Sequence, residues 1–238
     1  MPLIRIAMWS GPRNISTAMM RSWDNRADCL VIDEPFYAYY LSRTGLDHPG
    51  REAILDSQPS DWPAVAAALT SGPVPPEISV TYQKHMTHHL LPEIDRSALD
   101  GLRHAFLIRD PAQMLLSYAK VRGEPTLADL GLAAQVELYE RFGGPVADAR
   151  DILQRPEQML RALCAALLVD FDPAMLAWPA GPRDSDGVWA PYWYDGVRRS
   201  TRFADYRPLG QDIPTHLLPL LAACQPYYDR MAAHRITV

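Results

Sequence analysis

The chain has 238 residues, of which 48% are hydrophobic and 21% charged, so it is long enough and apolar enough to bury a sizeable core. Its formal net charge of −5 argues against a general nucleic-acid binder, which usually presents a basic face, but allows a local basic pocket for one small anion. We interpret residues 1–238 as a single α/β domain, although the length also permits two small ones.

The cysteine usage is that of a reducing compartment. Cys29, Cys164 and Cys224 are widely separated and form no paired Cys-x-x-Cys spacing. This predicts reduced, buried thiols rather than a disulfide framework or a zinc site. No segment has the pattern of a signal sequence, and no apolar run is long enough to span a bilayer. The sequence therefore predicts a soluble, cytoplasmic protein with no membrane partner.

The opening segment has the pattern of an anion site. A short apolar strand at residues 4–9 runs into a tight turn and the start of a helix. Ser16 and Thr17 suit the first exposed amides of a helix. Free N–H groups and the positive end of the helix dipole meet at such a turn, and Arg13 adds a full charge beside it. We predict a phosphate-binding cradle at residues 10–17.

Strand and helix patterns alternate along the rest of the chain. Apolar and β-branched runs predict further strands at residues 29–32, 78–83, 103–108 and 146–149. Caps, prolines and periodic apolar positions predict helices at 61–69, 111–121, 126–142, 156–168 and 217–233, and aromatic residues at 36–41 have helix-compatible spacing. Residues 42–60 have the composition of an irregular insertion, and residues 180–212 receive no assignment. Strands separated by helices imply a parallel sheet flanked by helices.

Charged residues stand at the ends of several predicted strands. The cradle follows the first strand, Glu34 the second, Lys84-His85 the third and Arg109 the fourth. Pro35 restricts the residue before it to an extended conformation, which predicts that Glu34 is presented at a strand end. Since parallel sheets bind ligands at the carboxyl ends of their strands, we expect these four groups to line one site.

The turn lacks the pattern of nucleotide-hydrolysing phosphate loops, G-x-x-x-x-G-K-[ST], which place a lysine on the terminal phosphates. Counting from the first glycine, Ser16 and Thr17 occupy the positions of the second glycine and the lysine. A kinase or NTPase is therefore disfavoured. No metal site is predicted either, because His85, His88 and His89 have no supporting carboxylate or cysteine pattern and fit a helix start better.

Residues 13–17, Arg-Asn-Ile-Ser-Thr, resemble instead the R-S-G-S-T or K-S-G-T-T loop of sulfotransferases that use 3′-phosphoadenosine-5′-phosphosulfate (PAPS). In that family the loop holds the 5′-phosphosulfate. The resemblance implies that this group is bound here by Arg13, Asn14, Ser16 and Thr17. Ile15 departs from the family loop, which usually has glycine there, and a side chain narrows the approach of a ligand to the backbone.

A second family signature is an arginine at a strand end and a serine eight residues further on, which together hold the 3′-phosphate. Arg109 and Ser117 have this spacing, and a helix that starts two residues after Arg109 puts Ser117 about two turns along it. Arginine supplies a forked donor suited to a dianionic phosphate. The family also caps the 3′-phosphate with a late basic segment, for which Arg198 and Arg199, with Arg202 nearby, are the loosely matching candidates. An ordinary charged loop is the alternative.

Sulfuryl transfer needs a base within hydrogen-bond reach of the acceptor's hydroxyl or amine. Glu34-Pro35 resembles the G-E-P motif of some bacterial carbohydrate sulfotransferases, in which the glutamate is the base. Lys84-His85 resembles the K-x-H stretch of cytosolic sulfotransferases, but the histidine here follows the lysine directly, so strand alternation turns it to the opposite face. We rank Glu34 first and His85 second as the base. Lys84 is a candidate for neutralising the oxygens between sulfate and phosphate, with a solvated lysine as the alternative.

Aromatic residues near these motifs form either an acceptor pocket or part of the core. They are Phe36, Tyr37, Tyr39, Tyr40, Trp189, Tyr192, Trp193 and Tyr194.

Taken together, the motifs resemble the P-loop-type sulfotransferase fold, and more closely the small sulfotransferase-like proteins that open W-S-G-P-R-N-I-S-T, some of which are fused to aminotransferase-like modules. The resemblance implies transfer of a sulfuryl group from PAPS to a hydroxyl (or amine) of a small-molecule acceptor, without a metal. Two alternatives stay open. One is a phosphotransferase that uses ATP-Mg²⁺, with Arg13 in place of the P-loop lysine; the other is an inactive nucleotide- or anion-binding protein in which Ile15 has abolished transfer.

Overall fold

The computed structural model describes residues 3–122 and 125–238, and a five-stranded sheet runs through them. The strands are β1 (Ile4–Ser10), β2 (Cys29–Asp33), β3 (Val80–Met86), β4 (Arg103–Ile108) and β5 (Val146–Asp148), in the spatial order β2-β3-β1-β4-β5. Every neighbouring pair is parallel. The parallel α/β sheet predicted from the strand and helix alternation is therefore confirmed.

Helices connect the strands and cover the sheet. Over residues 3–122 they are α1 (Ser16–Asp24), α2 (Tyr37–Thr44), α3 (Arg51–Ser57), α4 (Trp62–Ser71) and α5 (Pro111–Arg122). Over residues 125–238 they are α6 (Leu127–Leu130), α7 (Leu132–Phe142), α8 (Ala149–Gln154), α9 (Pro156–Ala166), α10 (Ala190–Trp193), α11 (Asp195–Arg198) and α12 (Leu218–Ala232). Single 3-10 turns lie at Thr87–His89, Arg96–Leu99, Pro173–Leu176 and Thr215–Leu217.

Strand β1 lies in the middle of the sheet and carries apolar side chains on both faces. Ile6 and Met8 pack into one core cluster, together with Met20 of α1, whereas Ala7 and Trp9 pack into the cluster on the other face. All five side chains are fully buried. A continuous apolar strand is typical of a parallel sheet with helices on both sides, which is why no polar alternation shows in this segment.

The structure corrects two of the predicted elements. Residues 42–60, predicted to be irregular, contain helix α3, and the single helix predicted over 126–142 is divided at Gly131 into α6 and α7. Gly131 has a φ of +64°, which favours glycine, and a Cβ on it would lie 2.3 Å from the Thr87 hydroxyl oxygen. The chain therefore breaks its helix at Gly131 in order to turn closely past the end of β3.

The three cysteines are free and buried, as predicted, and burial raises the pKa of each thiol. Within residues 3–122 and 125–238, no helix is both long and apolar enough to cross a lipid bilayer. The same ranges contain no group of three or more His, Cys, Asp or Glu side chains placed to hold a metal ion.

Candidate active site

A cavity of about 1390 Å³ opens at the carboxyl ends of β1 to β4. Each of the four groups that the sequence places at these strand ends contributes to its lining, through residues 12–18, Glu34, Lys84 and Arg109, whereas His85 does not line it. Ser117, on α5, lines it as well. The structure thus brings these groups together, because the carboxyl ends of parallel strands share one edge of the sheet.

The turn between β1 and α1 is held in place by its own asparagine. Asn14 donates from Nδ2 to the carbonyl of Leu107 on β4 (2.9 Å), and its Oδ1 accepts from the backbone N–H of Ile15 (2.8 Å). Helix α1, which lies wholly within the described residues, starts with no side-chain cap and no acidic residue in its first turn. Its first amides, at Ser16 and Thr17, border the cavity and suit an anion.

Ile15 fits this turn without strain. Its φ of −89° is ordinary for an L-residue, so glycine is not required at this position. Its half-buried side chain packs against the main core cluster, although the residue also borders the cavity. The left-handed conformation falls on Arg13 instead, with a φ of +56°. In this turn the unusual backbone conformation therefore lies at Arg13 and not at Ile15.

Two guanidinium groups meet beside the turn. Arg13 donates from Nε to the Ser117 hydroxyl (3.0 Å), and Arg109 donates from Nη1 to the carbonyl of Arg13 (2.7 Å) and from Nε to Gln113 Oε1 (3.2 Å). Burial lowers the pKa of both arginines, and the charge of Arg13 lowers the pKa of Arg109 further. Neither forms an ion pair with any carboxylate in the described part of the chain. A bound anion would stabilise this pair of like charges.

Lys84 lies at the centre of a buried polar network. Its side chain is 1% exposed, and its ammonium donates to Asp33 Oδ1 (2.9 Å), to Glu34 Oε1 and to the Tyr194 hydroxyl (2.7 Å). That hydroxyl donates to Asp33 Oδ2 (2.7 Å) and accepts from Trp189 Nε1 (3.0 Å). The three ammonium protons therefore have three acceptors, and Lys84 is not a solvated surface lysine.

Burial and charge act in opposite directions on this network. Burial raises the pKa of Glu34 above its ordinary value; Lys84 opposes the shift and Asp33 adds to it. Burial alone would lower the pKa of Lys84, but Asp33 and Glu34 together raise it. Glu34 is thus a buried carboxylate whose proton affinity is increased, and it lies beside a lysine that its acidic neighbours keep protonated.

The backbone of Glu34 differs from the extended conformation predicted from Pro35. Its φ is +40°, in the left-handed region. The N–H of Glu34 donates to the Lys84 carbonyl (2.9 Å), and the Glu34 carbonyl accepts from the N–H of Tyr37 (3.0 Å), so the residue is fixed between β3 and the start of α2. Non-glycine residues with positive φ cluster at functional sites. The described residues include three, and two of them, Arg13 and Glu34, line the cavity.

The structure does not bring His85 to the cavity. Strand β3 extends to Met86, beyond the predicted end at residue 83, so Lys84 and His85 lie inside it and face opposite sides of the sheet. The His85 ring is buried against Trp9, with centroids 4.3 Å apart, and its Nε2 lies 3.2 Å from Gln83 Oε1. Burial lowers the pKa of His85 to about 3. His85 is a neutral core residue and not a base at this site.

Arg198 and Arg199 also lie away from the cavity. Arg198 Nε is 3.7 Å from Asp186 Oδ2, and the exposed Arg199 pairs with Asp195. Arg202 and Arg207 line the cavity instead. Their segment has little regular secondary structure, so no periodicity tells from the sequence which arginines face inwards.

The aromatic residues divide between the cavity wall and the core. Those that line the cavity are Tyr37, Tyr40, Trp193 and Tyr194. Phe36 and Tyr39 pack in the core cluster that also holds Trp9, Trp189 is buried, and Tyr192 is 51% exposed. Part of the set therefore lines the cavity and part belongs to the core, whereas Tyr192 does neither.

Sequence reasoning does not identify three histidines of the cavity wall, His48, His88 and His89. His88 and His89 lie at the end of the single 3-10 turn Thr87–His89, and the predicted helix does not continue from it. That turn directly follows β3, however, and so continues along the carboxyl edge of the sheet. The position of this turn just beyond Lys84 is the sequence signal that could have identified His88 and His89 as cavity residues.

Gly11→Ala should destabilise the fold, because a Cβ at Gly11 would lie 2.6 Å from the carbonyl oxygen of Leu130 and 2.9 Å from the Met114 side chain. We expect the melting temperature to fall by about 3–8 °C, since overpacking typically costs about 1–3 kcal/mol. Thermal unfolding measures the effect. Gly210→Ala is the matched control, because nothing lies within 4 Å of a Cβ there. Unchanged melting of Gly11→Ala would contradict the close contact.

A family model of the sulfotransferase domain matches residues 4–235. The chain belongs to the sulfotransferase family. Two solved structures share its fold. The sulfotransferase domain from the curacin biosynthetic pathway has a TM-score of 0.60 at 16% identity and covers 95% of this chain and 98% of that one. A sulfotransferase from Alicyclobacillus acidocaldarius has a TM-score of 0.56 at 15% identity, covering 100% and 98%.

Two curated proteins of Arabidopsis thaliana are also similar to this chain, branched-chain-amino-acid aminotransferase-like proteins 2 and 1. Their identities are 34% and 35% over 234 residues, which is 96% of this chain but 41% and 42% of theirs. The chain thus spans about two-fifths of these relatives, whose names do not describe a sulfotransferase. Sulfotransferases generally use PAPS as sulfonate donor and act on small-molecule acceptors, so family and fold support a sulfotransferase-type transferase activity.

Proposed function

We propose that this protein transfers a sulfuryl group from PAPS to the hydroxyl (or amine) of a small-molecule acceptor. The observation that carries the proposal is one cavity lined both by two arginines without carboxylate partners, among the described residues, and by a buried glutamate–lysine pair. An anionic donor and a nucleophile that must lose a proton need these two environments side by side. We treat residues 1–238 as one cytoplasmic domain that needs no metal, nucleic acid or membrane.

The donor's two anionic groups are assigned to different parts of the cavity. The 5′-phosphosulfate lies at the first turn of α1, held by Arg13, Ser16 and Thr17, while Asn14 positions the loop because its amide is already bonded within the protein. Arg109 and Ser117 bind the 3′-phosphate. Beside them is a second cavity of about 410 Å³, which they line together with Lys120 and Arg207. Arg207 therefore replaces Arg198 and Arg199 as the late basic residue in this proposal.

The reaction is an in-line displacement at sulfur. The acceptor oxygen forms a bond to sulfur, the bond between sulfur and the phosphate oxygen breaks, and its electron pair stays on the phosphate. Glu34 takes the acceptor's proton. Lys84 donates all three of its protons in the free protein, so it can stabilise the departing oxygen only by giving up one partner. Proton transfer to Glu34 weakens the ion pair with Lys84 and makes that exchange easier.

Titration calorimetry with 3′,5′-adenosine bisphosphate (PAP) and, separately, with ATP-Mg²⁺ tests the donor assignment. We expect PAP to bind at least about tenfold more tightly than ATP-Mg²⁺, because ATP has no 3′-phosphate to bind at Arg109. Tight ATP-Mg²⁺ binding without PAP binding would favour the phosphotransferase. Tight PAP binding without transfer from labelled PAPS to any of a panel of phenols and alcohols would indicate a binding protein.

A further inference from the structure

His89 has a fixed position on the cavity wall next to Glu34. Its ring stacks on Tyr37, with centroids 4.5 Å apart, and on Tyr40, at 4.7 Å, and the residue is 3% exposed. The two stacks fix the plane of the imidazole ring. Burial lowers the pKa of His89 well below its ordinary value, which keeps the ring neutral.

One nitrogen of this fixed ring lacks a partner. Nδ1 of His89 is buried without a hydrogen bond to any described residue, and it lies 3.8 Å from Glu34 Oε2, too far for a direct bond. The 3.8 Å separation of these two atoms allows one oxygen atom to lie at a normal hydrogen-bond length of about 2.8 Å from both of them. Both residues line the cavity, so such an oxygen can belong to a ligand.

We propose that the acceptor's attacking hydroxyl oxygen lies between His89 Nδ1 and Glu34 Oε2, which makes His89 a second catalytic residue. This inference rests on the proposed function. His89 donates its Nδ1–H to the hydroxyl oxygen and directs that atom towards sulfur, while the hydroxyl donates to Glu34. As the bond from oxygen to sulfur forms, the hydroxyl proton passes to Glu34 and the bond from sulfur to the 5′-phosphate breaks with its electron pair. His89 stays neutral throughout.

The same geometry favours a hydroxyl over an amine. An alkylammonium group loses two protons on its way to a sulfamate, whereas a hydroxyl loses one. Among the described residues that line the cavity, Glu34 is the one buried carboxylate, and it accepts a single proton. The surrounding wall includes Tyr37, Tyr40 and Trp193. We therefore assign to this site a hydroxyl group of an acceptor whose neighbouring atoms contact these aromatic side chains.

Binding of 2-naphthol and naphthalene to the protein, measured with and without PAP by fluorescence titration, tests the assignment. We expect wild type to prefer 2-naphthol by at least about tenfold, since a hydrogen bond to a charged group contributes about that factor. His89→Phe keeps the stacking and the hydrogen bond to Glu34 but removes the nitrogen, so the preference should fall by about three- to tenfold, the contribution of one hydrogen bond between neutral groups. His89→Asn, whose side-chain amide reaches the place of Nδ1, should restore part of it. His104→Phe is the control, because His104 is also a buried histidine stacked on a ring but lies at the amino end of β4.

The outcomes distinguish a failure of the role of His89 from a failure of the proposed function. An unchanged preference in His89→Phe, or no preference in wild type, would overturn the role of His89. If the preference depends on His89 but wild type moves no sulfuryl group from labelled PAPS to 2-naphthol or other hydroxyl compounds, the hydroxyl site stands and the proposed function fails. If His89→Phe lowers the affinity for both probes and for PAP equally, the residue is structural and the inference is wrong.

Discussion

Glu34→Gln should lower the rate of sulfuryl transfer by about 10²–10⁴-fold, the usual contribution of a general base, while the affinity for PAP stays within about twofold. Glutamine keeps the shape of the side chain but cannot take the acceptor's proton. Single-turnover transfer from labelled PAPS to the acceptor found in the panel measures the effect. Glu157→Gln is the matched control, because it removes a carboxylate from an exposed pair with Arg161. A near-normal rate in Glu34→Gln would show that another group is the base.

The pH dependence of kcat/KM supplies a second readout for Glu34. The base must be ionised, and burial raises its pKa, so activity should fall as the pH drops through that raised value. Asp33, Lys84 and the neutral His89 face this carboxylate. The negative charge of Asp33 adds to the upward shift, so Asp33→Asn should move the acid limb to lower pH. An acid limb that persists in Glu34→Gln would assign it to a different group.

Arg109→Ala should weaken PAP binding by about 10²-fold, because truncating one partner of a charge-assisted contact typically costs about 2–5 kcal/mol. Adenosine 5′-monophosphate lacks the 3′-phosphate, so its affinity should fall by no more than about threefold, the size of effect that a solvent-exposed charge pair contributes. Calorimetry with both ligands measures the difference. Arg141→Ala, which removes an exposed partner of Asp100, is the control.

Arg109 also donates to the carbonyl of Arg13, so its loss could disturb the neighbouring turn. Arg109→Lys separates the two effects, because it keeps the charge and loses the fork. An equal loss for both nucleotides in Arg109→Ala would mean that Arg109 supports the turn and does not read the 3′-phosphate.

Short-range sequence patterns predict much of this architecture. The strand at Arg103–Ile108 and the helix after it follow from an apolar run and a proline at the first helical position. The positions of Arg109 and Ser117 on one cavity follow from the same local signals, since both residues belong to one strand–helix unit. The sheet itself follows from the alternation of strands and helices, because a parallel pair requires a crossover.

What the sequence by itself determined was the order of the elements and the carboxyl edge at which charged groups gather. Only the tertiary structure decided which side chains face the cavity. Pro35 predicts an extended Glu34, but hydrogen bonds to β3 and α2 hold it at a φ of +40°. Arg207 and His89 reach the site from an irregular segment and a 3-10 turn. Such segments have no regular period that sets where a side chain points. The orientation of the side chain therefore depends on long-range packing, which a single sequence does not show.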